Sequence, residues 1–292
     1  MASMAESSGV SFVIPCFNEA GAIEKTIREL RDVLLNTRST FEILVVDDGS
    51  TDGTTEILGN LRLDHVTVLS HESNRGYGAA IKTGIRSSQH EIVGIMDADG
   101  TYPTDRIPEL LEHIPAHDMV TGIRTGDVRA VPLLRRPAKW FLNRFASYLV
   151  KKKIRDVNSG LRVFRKQVVT RSWNIFPDGF SFTTTITLLC ALENLRVLTV
   201  PVNYLKRRGR SKIHPLKDTY NFFLLLMRIT MLFNPLRIFM PVSLTTFFLC
   251  LASIVRDITL LNLTETTVLL FLFSVIFLMI GLLADLINRR IR

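Results

Sequence analysis

The chain has 292 residues, of which 47% are hydrophobic and 22% are charged, and this apolar content excludes a wholly disordered protein. Its three scattered cysteines exclude a disulfide framework or a zinc cluster and favour a reducing compartment. The formal net charge of +9 suits a membrane surface, a nucleic acid or a phosphorylated substrate as partner. A mean hydropathy of +0.23 is high for a chain with 36 basic and 27 acidic residues. We therefore expect a soluble part and a membrane part.

Strand and helix patterns alternate from residue 10 to about residue 202. The predicted buried strands are residues 10–15, 42–47, 66–70 and 91–96. Between the first two strands, apolar residues recur on one helix face: Ile23, Ile27, Leu30 and Leu34. This alternation predicts an α/β fold with a mostly parallel sheet covered by helices. Ligands of such sheets bind beyond the carboxyl ends of the strands, where the sequence has Asn18, Asp47, Asp48, Asp97 and Asp99.

Two carboxylates, Asp97 and Asp99, directly follow the fourth predicted strand. Side chains at positions i and i+2 of a strand end can converge on one divalent cation, and oxygen ligands suit Mg²⁺ or Mn²⁺. Such a cation would bridge the diphosphate of a nucleotide and neutralise charge on a leaving group. The alternative is a pair of solvated loop acids, but the place at a strand end favours the metal site.

Two further loops are candidates for nucleotide contacts. The carboxylates of Asp47 and Asp48 can accept hydrogen bonds from a base or a ribose, although Asp-Gly-Ser is also a strong turn sequence. Residues 74–84, NRGYGAAIKTG, supply three glycines and Lys82, and they resemble a phosphate-cradling loop without Walker spacing. No GxGxxG motif follows the first strand, which argues against a dinucleotide-binding fold.

The last quarter of the chain contains two uncharged segments, residues 238–255 and 267–284. As helices of about 18 residues, each would be roughly 27 Å long, which is close to the thickness of a bilayer core. We predict two transmembrane helices; two buried core helices are the alternative. Basic residues flank both ends of the pair, so the positive-inside rule puts both ends in the cytoplasm and the connector, residues 256–266, outside. Residues 216–233 suit an interfacial helix, or else a packing helix of the soluble domain.

Five motifs occur in a fixed order: SFVIPCFNE (11–19), VVDDGSTDGT (45–54), DADGTYP (97–103), DVNSGLRVF (156–164) and KRRGRSK (206–212). Together they resemble the family 2 glycosyltransferases of the polyprenyl-phosphate glycosyltransferase type, over residues 10–215 by motif and over the two C-terminal spans by layout. The resemblance implies a GT-A fold and a membrane-bound enzyme. It implies inverting transfer of one sugar from a nucleotide diphosphate sugar to undecaprenyl or dolichyl phosphate, with Mg²⁺ or Mn²⁺ as cofactor.

The resemblance also implies roles for individual residues. The donor would be bound by Pro15, Asn18, Glu19, Asp47, Asp48 and Asp97, to which the glycine-rich loop adds Lys82. The metal would be bound by Asp97 and Asp99, and Asp99 would be catalytic. The acceptor phosphate would be bound by Arg124, Arg144, Lys206, Ser211 and Lys212. Asp156 has two interpretations: a catalytic or orienting carboxylate beside the acceptor, or a structural loop acid.

The chain departs from the family pattern at three positions. Lys206 replaces the first arginine of the RxxGxSK motif, which keeps the charge and loses the bidentate fork. Thr101 stands where the mannose synthases have a glutamine, so a third metal ligand is left open. Thr185 stands where relatives often have an acid. The DADGT sequence is closer to the glucosyltransferase pattern and favours a UDP-sugar over GDP-mannose.

The basic residues between positions 124 and 155 suit a solvated face, an anionic lipid surface or an acceptor phosphate. They lack the interleaved aromatic residues of a nucleic-acid platform, so we expect no nucleic-acid partner.

These observations predict three parts: a cytoplasmic GT-A domain (1–212), a juxtamembrane interfacial helix (213–234) and a transmembrane hairpin (235–292). The protein would be a multi-pass protein of the inner or plasma membrane with both termini in the cytoplasm. The resemblance implies a homo-oligomer, such as a tetramer. Two alternatives remain open: an enzyme that elongates a lipid-linked glycan, and a non-catalytic membrane scaffold that binds nucleotide. The scaffold would not need Asp97 and Asp99.

Overall fold

The computed structural model describes residues 9–37, 39–125, 147–148, 158–179, 181–203 and 215–291. The chain divides into two compact units, Met1–Pro215 and Leu216–Arg292, and each is described by itself.

A seven-stranded sheet forms the centre of the first unit. Its strands are β1 (Val10–Cys16), β2 (Phe41–Asp47), β3 (Val66–Ser70), β4 (Ile92–Ile95), β5 (Met119–Thr125), β6 (Arg162–Arg165) and β7 (Val197–Asn203). The spatial order is β3-β2-β1-β4-β6-β5-β7. All neighbouring strands are parallel except the two pairs that include β6, which runs in the opposite direction. The predicted α/β class with a mostly parallel sheet is confirmed.

Six helices accompany the sheet in the described part of this unit. They are α1 (Ile23–Leu35), α2 (Thr54–Asn60), α3 (Tyr77–Ser87), α4 (Ile107–His113), α5 (Gln167–Thr170) and α6 (Phe182–Leu192). Short 3₁₀ turns cover Thr104–Arg106, Ile114–Ala116 and Trp173–Ile175. Helix α1 buries the four apolar residues whose spacing predicted it, and they join the main hydrophobic core with residues of β1 and β2. Burial of that face is what stabilises an amphipathic helix against a sheet.

The parallel strands bring three loops to one edge of the sheet. Cys16, the last residue of β1, pairs with Asp47, the last residue of β2. Val13 of β1 pairs with Ile95, the last residue of β4. The loops that follow these strands therefore start side by side, at the edge where α/β proteins bind their ligands.

The second unit contains three helices in its described residues: α7 (Pro215–Phe233), α8 (Leu236–Leu260) and α9 (Glu265–Ile291). Helices α8 and α9 pack along each other as a hairpin. The Ser243 hydroxyl donates to the Ser274 carbonyl oxygen at 2.9 Å, and the Ser274 hydroxyl donates to the Ser243 carbonyl oxygen at 3.2 Å. A Cβ atom at Gly281 would lie 2.8 Å from Cβ of Phe239, so glycine permits the close approach of the two helices there.

Length and composition allow both hairpin helices to cross a membrane. The most apolar 18-residue windows of the segments Leu236–Leu260 and Glu265–Asn288 have mean hydropathies of 2.2 and 2.8. Only 11% and 17% of their most apolar windows are buried in the structure. A core helix of a soluble domain would be mostly buried, so this alternative does not fit the observed exposure. Helix α7 is formed where an interfacial helix was predicted; its location at a membrane surface stays a prediction.

Candidate active site

The candidate site lies at the carboxyl edge of the sheet, where loops from four strands meet. Because β6 runs antiparallel to β4 and Arg162 pairs with Ile95, the segment before β6 arrives at the end of β4. Gly160 in this segment lies against Asp97: a Cβ atom at Gly160 would be 1.9 Å from the Asp97 Oδ2 atom. The motif DVNSGLRVF thus contributes directly to the surroundings of the Asp97–Asp99 pair.

Neighbouring hydroxyl groups orient both carboxylates of the pair. The Tyr77 hydroxyl donates to Oδ1 of Asp97 at 2.8 Å. The backbone N–H and the hydroxyl of Thr101 both donate to Oδ1 of Asp99, at 3.1 and 2.6 Å. Gly100 turns the chain between them with a φ of +68°. Thr101, which stands where the mannose synthases have a glutamine, therefore holds the Asp99 carboxylate.

Burial raises the pKa of Asp97 from 3.8 to about 6, and the nearby charge of Asp99 adds to this effect. The Tyr77 hydrogen bond and the positive charges of Arg124 and Arg162 oppose the rise in the pKa. The ionised form of a carboxylate whose pKa is raised by burial and by a neighbouring negative charge is stabilised when a cation binds beside it. Their oxygen atoms are the ligands that Mg²⁺ and Mn²⁺ prefer.

The pair alone does not complete a coordination shell. Among the residues that the structure describes, no group of three or more His, Cys, Asp or Glu side chains is arranged to hold a metal ion. Magnesium is commonly held by one or two carboxylates, with substrate phosphates and water as the remaining ligands. The residues present fit a divalent cation of this kind.

Asp47 and Asp48, which follow β2, are buried and bound within the protein. Asp47 accepts hydrogen bonds from the Ser50 N–H at 3.1 Å and the Thr55 hydroxyl at 2.6 Å, which is the turn chemistry of Asp-Gly-Ser. Asp48 accepts hydrogen bonds from three groups of the loop after β3: the N–H groups of Arg75 and Gly76 and Nδ1 of His71. Both residues hold loops at the site, and their contact with a donor stays a prediction.

The loops after β1 and β2 are tied to each other. Asn18, at a φ of +54°, accepts the Thr51 N–H on its side-chain oxygen at 2.7 Å. Its own N–H donates to the Ser50 hydroxyl at 2.9 Å, and the Glu19 N–H donates to the Thr54 hydroxyl at 3.0 Å. Pro15 lies one residue before the end of β1 and is buried. Direct donor binding by Pro15, Asn18 and Glu19 stays a prediction.

The glycine-rich segment 74–84 includes the first turns of α3, and it packs against the protein itself. The N–H of Gly78 donates to the Gly179 carbonyl oxygen at 3.1 Å, and the N–H of Ala79 donates to the Asp178 carbonyl oxygen at 2.9 Å. Lys82 forms an ion pair with Asp178 at 2.8 Å. The carbonyl oxygens of Asp178 and Gly179 take up these two N–H donors, and the interpretation of the segment as a phosphate cradle stays a prediction. Donor binding by Lys82 stays a prediction.

One predicted acceptor-binding residue is described. Arg124 lies near the end of β5 with an exposed side chain, and its charge reaches Asp97, whose pKa it lowers. The other predicted acceptor residues and the second catalytic candidate lie outside the described residues: Arg144, Asp156, Lys206, Ser211 and Lys212.

The sequence did not single out three residues that organise the site. Tyr77 bonds Asp97, and the Tyr102 hydroxyl accepts the Gly160 N–H at 2.7 Å. Arg162 is completely buried, with its guanidinium donating to the carbonyl oxygens of Ser159 and Thr183. Tyr102 and Arg162 lie inside recognised motifs, which was the available signal. Tyr77 lies in the glycine-rich segment 74–84, but its bond to Asp97 depends on a contact across 20 residues of chain that spacing did not indicate.

Residues 11–173 match the family model of Glycosyl transferase family 2, which covers more than half of the chain. The chain belongs to this family. Residues 234–289 match a second family model, the GtrB C-terminal hairpin, and this match coincides with helices α8 and α9. The family assignment makes the chain a glycosyltransferase, as the motifs predicted.

Relatives of the family 2 enzyme come from all three domains of life. Glycosyltransferase AglJ of Haloferax volcanii is 29% identical over 97% of this chain and 95% of its own length. Undecaprenyl-phosphate mannosyltransferase of Micrococcus luteus is 28% identical over 69% of this chain and 86% of its own. Dolichyl-phosphate beta-glucosyltransferase ALG5C of Trichomonas vaginalis is 29% identical over 66% of this chain and 63% of its own length.

A solved structure confirms the fold. Glucosyl-3-phosphoglycerate synthase from Mycobacterium tuberculosis, crystallised with Mn²⁺, UDP-glucose and phosphoglyceric acid, superposes with a TM-score of 0.59. The match covers 76% of this chain and 80% of that chain at 20% identity. At this level of identity the likeness concerns the fold alone, and it agrees with the predicted GT-A architecture.

Proposed function

We propose that this family 2 enzyme transfers a single sugar, with inversion, from a nucleotide diphosphate sugar to polyprenyl phosphate at a membrane surface. The observation that carries the proposal is the Asp97–Asp99 pair at the carboxyl edge of the sheet, in a chain that ends in an apolar helical hairpin. Relatives named for undecaprenyl phosphate and dolichyl phosphate support the acceptor class.

Asp97 and Asp99 would hold Mg²⁺ or Mn²⁺, which when bound would neutralise the diphosphate that leaves the sugar. Tyr77 and Thr101 would keep the two carboxylates in the orientation for this task. The Mn²⁺ and UDP-glucose in the similar crystal structure support a divalent cation and a UDP-sugar, although that protein has a different acceptor. The loops that carry Asn18, Glu19 and Asp48 would surround the nucleoside.

The acceptor phosphate needs positioning more than deprotonation. A phosphate monoester has a second pKa of roughly 6, so it is largely dianionic at neutral pH. One of its oxygens would attack the anomeric carbon from the face opposite the diphosphate, forming a carbon–oxygen bond as the bond to the diphosphate breaks. The exposed Arg124 beside Asp97 is suited to hold this phosphate. Arg144, Asp156, Lys206, Ser211 and Lys212 are proposed to complete the acceptor side on the basis of their motifs.

The hairpin of α8 and α9 would cross the membrane, with both termini and the sugar-transferring domain in the cytoplasm. Helix α7 would lie at the interface, within the predicted segment 213–234. A homo-oligomer such as a tetramer belongs to the same proposal. The charge asymmetry of the sequence supports the orientation, because basic residues precede α8 and occupy the C-terminal end of α9.

The test is a transfer assay with the full chain in detergent or nanodiscs, using undecaprenyl phosphate, Mn²⁺ and a panel of UDP- and GDP-sugars. We expect one lipid-linked sugar phosphate product, and loss of the product with EDTA or with Asp99→Asn. Polyprenol without phosphate is the matched acceptor control and should not be glycosylated. Equal transfer to a hydroxyl acceptor would favour the glycan-elongating alternative, and full activity of Asp99→Asn in EDTA would contradict the metal site.

A further inference from the structure

His71 connects the loop after β2 to helix α3. It follows β3 directly, and its backbone N–H donates to the Asp47 carbonyl oxygen at 2.9 Å. Its ring Nδ1 lies 2.6 Å from Oδ1 of Asp48, and its ring Nε2 lies 2.9 Å from the hydroxyl oxygen of Thr83 on α3. The side chains of His71 and Asp48 are only 5% and 3% exposed. The three side chains form one hydrogen-bonded chain across the end of β2.

The partners of the ring select one tautomer. An ionised carboxylate can only accept hydrogen bonds, so the short contact with Asp48 requires the proton on Nδ1 of His71. In the neutral ring Nε2 is then an acceptor, and the Thr83 hydroxyl donates to it. The Thr83 hydroxyl thus donates to His71, and His71 donates to the Asp48 carboxylate.

Three donors fix the Asp48 carboxylate. Oδ1 accepts from His71 and from the Arg75 N–H at 2.9 Å, while Oδ2 accepts from the Gly76 N–H at 2.8 Å. A carboxylate has about four acceptor positions, so this arrangement leaves room at Oδ2 for one more donor. Asp48 can therefore keep its loop in place and still accept a hydrogen bond from a ribose hydroxyl or a base N–H.

We propose that His71 is a positioning residue for nucleotide recognition, acting through the Asp48 carboxylate. The inference rests on the proposed function, because it assigns Asp48 to the nucleoside part of the donor. His71 fixes the rotation of the carboxylate about its χ angles, and with it the direction of the remaining acceptor position. It also ties the carboxylate to α3, whose first residue, Tyr77, bonds Asp97. Helix α3 is thus connected to both carboxylates, to Asp48 through Thr83 and His71 and to Asp97 through Tyr77.

Two conservative substitutions separate the two bonds of His71. The amide nitrogen of Asn has the same number of bonds from Cβ as Nδ1 of histidine, so His71→Asn can still donate to Asp48 but does not reach Thr83. The amide end of Gln corresponds in the same way to Nε2, so His71→Gln can still bond Thr83 but loses the donor to Asp48. Thr83→Val is the matched control, since it removes the same bond as His71→Asn from the other side.

The experiment measures the dissociation constants of UDP and of GDP with Mn²⁺ for the full chain by calorimetry, without acceptor. Steady-state kinetics add KM for the donor, KM for the lipid acceptor and kcat, and thermal melting reports on the fold. We expect His71→Gln to bind the preferred nucleotide on the order of tenfold more weakly, with a matching rise in KM for the donor alone. His71→Asn and Thr83→Val should stay within about threefold of the wild type.

The outcomes separate this inference from the function on which it rests. If the wild type binds nucleotide and His71→Gln binds it equally well, the role of His71 is overturned and the proposed function stands. The same holds if all three variants melt at lower temperatures by similar amounts and none changes nucleotide affinity, because His71 is then only a packing residue. Failure of the wild type to bind either nucleotide would contradict the proposed function itself, and the inference would fall with it.

Discussion

Asp97 is a buried carboxyl group whose surroundings disfavour its ionised form. Its pKa is raised to about 6 by burial and by Asp99, so without a bound cation its negative charge destabilises the folded state. The unfolded carboxyl titrates near 3.8, and the folded protein therefore binds more protons than the unfolded chain between about pH 4 and pH 6. The free energy of unfolding falls across this range as the pH rises.

Asp97→Asn should consequently stabilise the metal-free protein at pH 7.5 and have little effect at pH 4. The gain is at most about 3 kcal/mol, since each unit of pKa shift corresponds to about 1.36 kcal/mol. The Asn side-chain oxygen can still accept the Tyr77 hydroxyl, so the local contact survives. Melting temperatures of the full chain in EDTA at the two pH values measure the effect, and the exposed Asp64→Asn is the control. An equal shift at both pH values would contradict the assigned pKa.

Gly160 is required by the space around Asp97. A Cβ atom at this position would come within 1.9 Å of the Asp97 carboxylate, far inside the 3.0 Å at which Cβ atoms stay clear of other heavy atoms. Gly160→Ala should displace Asp97 and lower kcat and Mn²⁺ affinity at least about tenfold, in line with the effect of a misplaced ligand. Gly59→Ala is the matched control, because a Cβ atom there meets nothing within 4 Å. Similar kinetics of the two variants would show that the segment can move away without consequence.

At the scale of elements, the sequence predicted what depends on local pattern. The first four strands and α1 were recognisable because their apolar residues are contiguous or spaced at helical intervals. The Asp97–Asp99 pair followed from its place after the fourth strand. The direction of β6 was not predictable, because it depends on pairing with strands distant in the chain. The contact of Gly78 with residues 177–179 escaped prediction for the same reason. Sequence spacing gave no sign that N–H groups at the start of α3 would bond to carbonyl groups about 100 residues later in the chain.

Asp257 organises the turn between α8 and α9. Its carboxylate accepts hydrogen bonds from the Thr264 N–H at 2.8 Å, the Thr267 hydroxyl at 2.6 Å and the Arg256 guanidinium at 3.0 Å. The side chain is buried, so its removal leaves several donors without their acceptor. The sequence placed this acid in the connector between the spans, whereas the structure includes it in the last turn of α8.

Asp257→Ala should weaken the hairpin by about 1–3 kcal/mol, the usual effect of leaving buried donors unsatisfied. Thermal unfolding of the full chain in detergent would measure this loss, together with the rate of proteolysis at residues 261–264. Glu265→Ala removes an exposed acid from the first turn of α9 and should have a smaller effect. If both variants unfold alike, the hydrogen bonds of Asp257 do not hold the turn.

At the scale of the whole molecule, the orientation in the membrane can be tested by cysteine labelling. The native cysteines Cys16, Cys190 and Cys250 are buried, so their background labelling should be low. Leu263→Cys, in the exposed turn of the hairpin, should react with a membrane-impermeant maleimide on intact cells. Glu29→Cys, on the surface of α1, should react only after permeabilisation. The reverse pattern would contradict the cytoplasmic location of the sugar-transferring domain.

The ties between the loops after β1 and β2 have a consequence for the energetics of nucleotide binding. Asn18, Glu19 and Ala20 each have their N–H bonded to a side chain of residues 50–54, namely Ser50, Thr54 and Asp52. If these loops bind the donor as we propose, they are held in place by their own hydrogen bonds before the ligand arrives, so little conformational entropy remains to be lost there on binding. Rigid contacts of this kind discriminate by shape, because a nucleotide that does not fit cannot be accommodated by rearrangement of the loops. Discrimination between nucleotides would then depend on the shape of a preorganised surface and not on rearrangement after binding.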